Sequence, residues 1–223
     1  MPKKSDKDTS LVFSYLTLRK AIGLLGLALP FVLSFGAFLI FRTDLQNSIS
    51  HYYWTGMRDV FVGMLFAIGF FLLSYRGYAR ADRIAGILAC VFAVGVALFP
   101  TVQNAEAVTG ASAGSPRTVG TMHFLFAAAF FATLIYFSLV LFTKTKARGR
   151  PTRQKLIRNG IYRGCAYVMA ACILLTFVYF LLPLTQQIAL AAYSPIYWLE
   201  SVAIIAFGVS WLVKGEAIFK DEE

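Results

Sequence analysis

The chain has 223 residues, of which 58% are hydrophobic and 14% are charged, and its formal net charge is +10 at pH 7. An average soluble domain carries about a quarter charged residues. The composition therefore excludes a water-soluble globule and a disordered chain, and it favours an all-α, polytopic membrane protein.

Hydropathy divides the chain into six stretches long enough to cross about 30 Å of hydrocarbon as helices. The uncharged run from Gly164 to Leu199 is too long for one span, and Pro183 and Pro195 bracket a polar interruption at which a helix can end. The predicted spans are residues 21–41, 53–75, 84–102, 118–142, 164–182 and 194–213. Residues 1–20 form an N-terminal segment, with a short interfacial helix predicted over 10–18, and residues 214–223 form a C-terminal tail.

The distribution of Lys and Arg predicts the orientation of the spans. Six spans that start from a cytoplasmic N-terminus leave 18 of the 21 basic residues on the cytoplasmic side, as connecting loops in membrane proteins do. We therefore expect both termini to be cytoplasmic in a bacterial plasma (inner) membrane. The basic run over 144–155 lacks interleaved aromatic residues and joins two spans, so it favours contact with membrane lipids and not with nucleic acid.

The third predicted span carries a small residue at every fourth position, namely Ala85, Ala89, Ala93 and Ala97. Small residues let the backbones of neighbouring helices approach closely in a membrane. The stripe is interpreted either as packing inside the bundle or as a seam between copies in a homo-oligomer.

Polar residues inside the spans predict a layer near the outer face of the membrane. At a rise of about 1.5 Å per residue, Asp59, His123 and Glu200 all lie just beneath the outer boundary. Other polar residues predicted at this level are Arg42, Ser50, His51 and Arg58. Ionisable groups in spans are costly when they face lipid, so we expect this layer to converge on one cavity beneath a lid of residues 43–53.

Three functions are compatible with such a layer. The first is a pocket at the extracytoplasmic face that binds a lipid or another amphiphile and needs no cofactor. The second is an intramembrane lipid hydrolase, with Asp59, His123 and Glu200 as possible zinc ligands. The third is a purely structural network of hydrogen bonds between helix ends.

The stretch from Ser48 to Gly63, followed by Ser74 to Tyr78, resembles an uncharacterised bacterial family of six-span membrane proteins. More distantly, the Ser-x-Ser loop before the second span resembles the Frag/DRAM/Sfk class of six-helix proteins, which implies a link to lipids and membrane trafficking. The chain is also similar to the CREST superfamily of intramembrane metal hydrolases in Ser50, Asp59 and His123, although the family's HxxxH pair and seventh span are missing.

Overall fold

A computed structural model describes residues 6–75, 77, 80–102, 117–144 and 152–217, with side chains described from residue 15 onwards except at 117. The described residues are helical and contain no strand, which confirms the all-α prediction. Within the described ranges seven α-helices follow one another: α1 (Asp6–Phe41), α2 (Arg58–Ser74), α3 (Arg80–Leu98), α4 (Arg117–Tyr136), α5 (Arg153–Leu181), α6 (Leu184–Ala191) and α7 (Pro195–Lys214). A 3-10 helix (Ser50–Trp54) precedes α2, and a π-helical turn (Phe137–Leu141) extends α4.

Five stretches within the described residues are long and apolar enough to cross a membrane. They are Tyr15–Phe41, Arg80–Leu98, Thr118–Leu141, Arg153–Leu181 and Pro195–Lys214. This finding is consistent with an integral membrane protein. The remaining predicted span corresponds to α2, which has 17 residues.

The helix boundaries differ from the predicted spans in places that local chemistry explains. The second helix starts at Arg58 and not at 53, because residues 50–54 form the 3-10 helix and Thr55 is extended. The predicted interfacial segment over 10–18 is continuous with the first span, since no Pro or Gly interrupts α1 before Gly23. The polar interruption after Pro183 forms the short helix α6.

The fifth helix begins 11 residues before the predicted start of its span. Thr152 is its N-cap, and the Thr152 side chain accepts a hydrogen bond from the Lys155 backbone N–H at 3.2 Å. Such a cap satisfies one of the free donors of the first turn. The seventh helix begins at Pro195, a residue that suits the first helical position because it has no N–H to satisfy.

The six long helices form a ring in chain order. Helix α1 packs on α2, α2 on α3, α3 on α4, α4 on α5, α5 on α7, and α7 back on α1. The contact between α1 and α7 is backbone to backbone: a Cβ placed on Gly23 would lie 2.8 Å from the Gly208 carbonyl oxygen, and one on Gly208 would lie 2.8 Å from that of Gly23. Without side chains at these two positions the helices can approach this closely.

The ring has two ends, which we name by what they carry. At the loop end, residues 42–57 connect α1 to α2, and we call this segment the capping loop. The opposite end carries Arg19, Lys144 and Lys214, and we call it the basic end. An aromatic core lies there in which every side chain is 0–1% exposed, comprising Tyr75, Phe137, Phe142 and Trp211. The Trp211 ring meets the other three edge to face, at centroid distances of 5.1 to 5.4 Å.

The alanine stripe of the third span is buried within the chain. Its members are 0–3% exposed, namely Ala85, Ala89, Ala93 and Ala97. A Cβ placed on Gly69 of α2 would lie 3.3 Å from the Cβ of Ala93, so α2 and α3 also pack closely. The stripe therefore serves packing inside the bundle, and self-association of the chain stays a prediction.

Candidate functional site

Glu200 of α7 binds the backbone of the capping loop. Its Oε2 accepts a hydrogen bond from the Ile49 N–H at 2.7 Å, and the Ser50 backbone also bonds to this carboxylate. The Ile49 donor, which would otherwise be buried without a partner, is thereby satisfied. Glu200 was predicted to lie beneath the loop. In the structure it contacts the backbone of the loop, at Ile49 and near Ser50.

The same loop also satisfies the start of α7. The Tyr197 N–H, one of the first-turn donors that lack a partner inside the helix, donates to the Asn47 carbonyl at 2.9 Å. The Ser194 hydroxyl lies 3.5 Å from the Asn47 side-chain oxygen. The capping loop and the beginning of α7 therefore form one hydrogen-bonded unit.

His51 is held inside the loop by Ser48. The Ser48 hydroxyl lies 2.6 Å from His51 Nδ1 and accepts from the His51 N–H at 3.1 Å, while the ring also bonds to the Val102 backbone. Burial, together with the nearby His123 ring, lowers the pKa of His51 from 6.5 to about 4, against the opposing effect of the Val102 bond. His51 is therefore neutral at pH 7.

His123 is 2% exposed and is bonded to the segment that follows α3. Its Nδ1 lies 2.7 Å from the Phe99 carbonyl oxygen. The Trp54 Nε1–H of the capping loop donates to the Thr101 carbonyl at 3.0 Å, so the same segment is attached to the loop as well. A continuous network thus joins α7, the capping loop, residues 99–102 and α4.

The charged residues predicted for this site take other positions. Arg58 is exposed at the start of α2, where its Nη2 donates to the Tyr53 hydroxyl at 2.6 Å and its guanidinium lies 4.4 Å from the Tyr53 ring centroid. Asp59 is exposed in the first turn of α2, where the helix dipole favours a negative charge. Arg42 is exposed at φ 53°, directly after the end of α1. Among the described residues, no ion pair joins either arginine to Asp59 or Glu200.

The structure therefore brings part of the predicted layer together. His51, His123 and Glu200 share one network, whereas Arg58 and Asp59 lie on the exposed side of α2. Within the parts of the chain that the structure describes, no three His, Cys, Asp or Glu side chains lie close enough to hold a metal ion. Ligand binding at this layer stays a prediction, and the contacts that Glu200 and His123 make here are with the protein's own backbone.

A cleft between α3 and α4, in the half of the bundle near the basic end, is the feature that the sequence did not indicate. It has a volume of about 570 Å³ and is partly open, and its lining residues Ile84 and Leu88 are exposed. Its walls are almost entirely apolar, comprising Ala81, Ile84, Ala85, Leu88, Phe92, Ala129, Ala132, Thr133 and Tyr136. One stripe of each helix lines the cleft, formed by residues 81, 84, 85 and 88 of α3 and by residues 129, 132, 133 and 136 of α4. This spacing indicates a cleft only when α3 and α4 are known to be neighbours.

No family model, curated protein or solved structure matches this chain.

Proposed function

We propose that this chain is a six-span protein of a bacterial plasma membrane, with both termini in the cytoplasm and the capping loop outside. This proposal is supported by the ring of six long helices and by the bias of Lys and Arg towards one end of the bundle. Helix α2 has 17 residues, a length of about 26 Å that lies at the short end of the range for a membrane helix. The resemblance to six-span bacterial families stays a prediction alongside this proposal.

The function that the geometry supports best is the binding of a membrane lipid, with an acyl chain in the cleft between α3 and α4. The observation that carries this proposal is the cleft itself, whose volume of about 570 Å³ lies within the range of about 300–1,000 Å³ typical of small-molecule sites. Both walls belong to candidate membrane spans, and the exposed apolar residues Ile84 and Leu88 line the cleft itself. In a membrane its open side would face hydrocarbon, so an acyl chain is the ligand of matching chemistry.

Polar groups at one end of the cleft indicate how a bound lipid would be oriented. Tyr136 lines the cleft and is 40% exposed, and the exposed Arg80 directly precedes the lining residue Ala81. An anionic or hydrogen-bonding headgroup would find both partners there. The lipid would then lie in the cytoplasmic leaflet, with its tail towards Phe92 and Ala129.

Photocrosslinking tests this proposal. Purified protein is reconstituted with a phosphatidylglycerol that carries a diazirine in its acyl chain, irradiated and digested, and the labelled peptides are quantified by mass spectrometry. Wild-type protein should be labelled mainly within residues 81–92 and 129–136. Ala132→Trp, which fills the cleft from an exposed alanine, should reduce that labelling at least fivefold, because the indole occupies the space of the acyl chain.

Ala170→Trp is the matched control, since Ala170 is an exposed alanine on α5 that lies outside the cleft. This variant should keep the wild-type labelling pattern. Labelling spread evenly over exposed residues such as Leu174 and Phe177 would contradict the proposal, because it would indicate the ordinary shell of membrane lipid.

A further inference from the structure

The short helix α6 lies between the ends of two candidate membrane spans. It follows α5, which ends at Leu181, and it precedes α7, which begins at Pro195. Its eight residues have a length of about 12 Å as a helix, which is too short to cross about 30 Å of hydrocarbon. Where α5 and α7 cross the membrane, α6 therefore lies at the membrane surface.

Hydrogen bonds attach α6 to the end of α5. The Gln187 side chain donates to the Leu182 carbonyl at 2.8 Å, and the Tyr179 hydroxyl donates to the Gln187 carbonyl at 3.0 Å. After α6, the Ser194 N–H donates to the Ala191 carbonyl at 3.0 Å, and Ser194 has the left-handed conformation, with φ 46°, directly before α7. The orientation of α6 is therefore set by its two neighbours along the chain.

One side of α6 is apolar and is left largely open by the rest of the described chain. Leu184 and Ile188 are four positions apart and so share one face of the helix, and they are 59% and 56% exposed. Gln186, two positions from each of them, lies on the opposite side and is exposed as well. None of the eight residues of α6, all of which the structure describes, is buried. The helix is therefore amphipathic, and its apolar side has room for a partner.

Exposed aromatic residues follow this apolar face along the chain. Tyr193 is 74% exposed between α6 and α7, and Trp198 is 56% exposed in the first turn of α7. Trp and Tyr are enriched where a membrane meets water, because each side chain has an apolar ring and a polar group. The sequence carries no charged residue between Gly164 and Leu199. No charge would therefore have to leave water if this region entered the boundary of the hydrocarbon.

We infer that α6 is an interfacial helix that lies along the membrane surface, with Leu184 and Ile188 in lipid and Gln186 in water. Its partner is the lipid surface itself, at the boundary between headgroups and acyl chains, where the two apolar side chains gain the burial that the protein does not provide. Interfacial helices often carry Lys and Arg that attract anionic lipid. Because α6 has neither, its contact should not depend on headgroup charge. The inference rests on the proposed topology, which places α6 on the outer side, and it is independent of the cleft.

Fluorescence quenching tests the inference. Ile188→Cys and its matched control Gln186→Cys, each in the full chain with the native cysteines replaced by alanine, are labelled with the fluorophore NBD and reconstituted into phosphatidylcholine vesicles. A nitroxide near the start of the lipid acyl chain should quench the probe on Ile188→Cys at least threefold more than the probe on Gln186→Cys. Iodide on both sides of the membrane should quench the two probes in the reverse order. Replacing half of the phosphatidylcholine with phosphatidylglycerol should leave the nitroxide result unchanged.

Equal iodide quenching of both probes without a nitroxide effect would overturn the inference, because α6 would then lie in water. Protection of both probes from both quenchers would overturn it too, since a second copy or another protein would then cover the helix. A nitroxide difference that appears only with phosphatidylglycerol would contradict the independence from charge. The quenching pattern is the same on either side of the membrane, so these failures leave the topology intact. The topology fails separately, if an impermeant maleimide does not label Gln186→Cys in intact cells.

Discussion

Among single residues, Glu200 has the most specific structural role. Its carboxylate replaces water as the partner of the Ile49 N–H, at 2.7 Å, and so attaches the capping loop to α7. Apart from the hydrogen bond between the Tyr197 N–H and the Asn47 carbonyl, the backbone of the capping loop makes few other hydrogen bonds to distant parts of the chain. The loss of this acceptor should therefore weaken the attachment of the whole loop.

We predict that Glu200→Ala lowers the stability of the protein by about 1–3 kcal/mol, the typical cost of leaving a buried donor without its hydrogen-bond partner. Glu200→Gln keeps a side-chain oxygen that can accept from Ile49, so its loss should be clearly smaller. Denaturation of both variants in the same detergent gives the comparison. Equal losses for the two substitutions would show that the charge, and not the acceptor, holds the loop.

His51 gives the loop a predicted dependence on pH. Its pKa is lowered to about 4 in the folded protein by burial and by His123, against an ordinary value of 6.5. Between these two pH values the unfolded chain binds the proton and the folded chain does not, so stability is complete above about 6.5 and is lost as pH falls towards 4. The loss should be on the order of 1–3 kcal/mol.

Melting temperatures measured from pH 7.5 to 4.5 test this prediction for His51. The wild-type curve should fall across that interval, and His51→Gln should give a flatter curve because Gln does not titrate. The same slope in both proteins would assign the pH dependence to other groups.

Among the helices, the contact between α1 and α7 depends most on residue size. A methyl group on Gly208 would lie 2.7 Å from the Leu27 backbone nitrogen and 2.8 Å from the Gly23 carbonyl oxygen. Because these atoms belong to the backbone, they cannot move aside without separating the helices.

We predict that Gly208→Ala destabilises the protein by about 1–3 kcal/mol, the usual cost of overpacking. Gly164→Ala on α5 is the control, since nothing lies within 4 Å of the added methyl group. This control should be neutral or should stabilise by about 0.5–1 kcal/mol, because Ala is a better helix former than Gly. Thermal denaturation measures both variants, and similar losses in the two would contradict the close contact of α1 with α7.

The elements that could be predicted from the sequence are those whose pattern of apolar residues is contained in one continuous stretch. Long apolar runs indicate helices by themselves, so all six long helices were expected near their observed positions. The 3-10 helix before α2 was not predicted, because residues 43–53 were predicted to form a lid and the second span was predicted to begin with the aromatic residues Tyr53 and Trp54. Helix α6 was missed because its Gln residues were interpreted as a break.

The site was predictable only in part, for a different reason. Depth along a helix can be counted, and His123 and Glu200 do lie at the loop end in contact with neighbouring segments. The direction in which a side chain points depends on how each helix is rotated in the bundle, so the exposure of Arg58 and Asp59 could not be counted from the sequence. The cleft could not be predicted either, because it requires knowledge of which helices are neighbours.

For the whole molecule, the cleft and the capping loop lie in opposite halves of the bundle. The cleft runs from the first turn of α3 to Phe92, in the half near the basic end. The opposite end is closed by the capping loop. The fold is therefore asymmetric, and the proposed orientation of the lipid requires the basic end to face the cytoplasm, where the leaflet is rich in anionic lipid.

The central claim is thus the six-span topology, and cysteine labelling tests it most directly. The native cysteines are replaced by alanine, and single cysteines are introduced at the half-buried position Gln46 and at the exposed positions Lys144, Gln186 and Ala217. A membrane-impermeant maleimide is then added to intact cells or to opened ones. We predict that Gln46→Cys and Gln186→Cys react in intact cells, whereas Lys144→Cys and Ala217→Cys react only after the cells are opened. If α2 does not cross the membrane, every later position changes side, and labelling of Lys144→Cys and Ala217→Cys in intact cells would contradict the account.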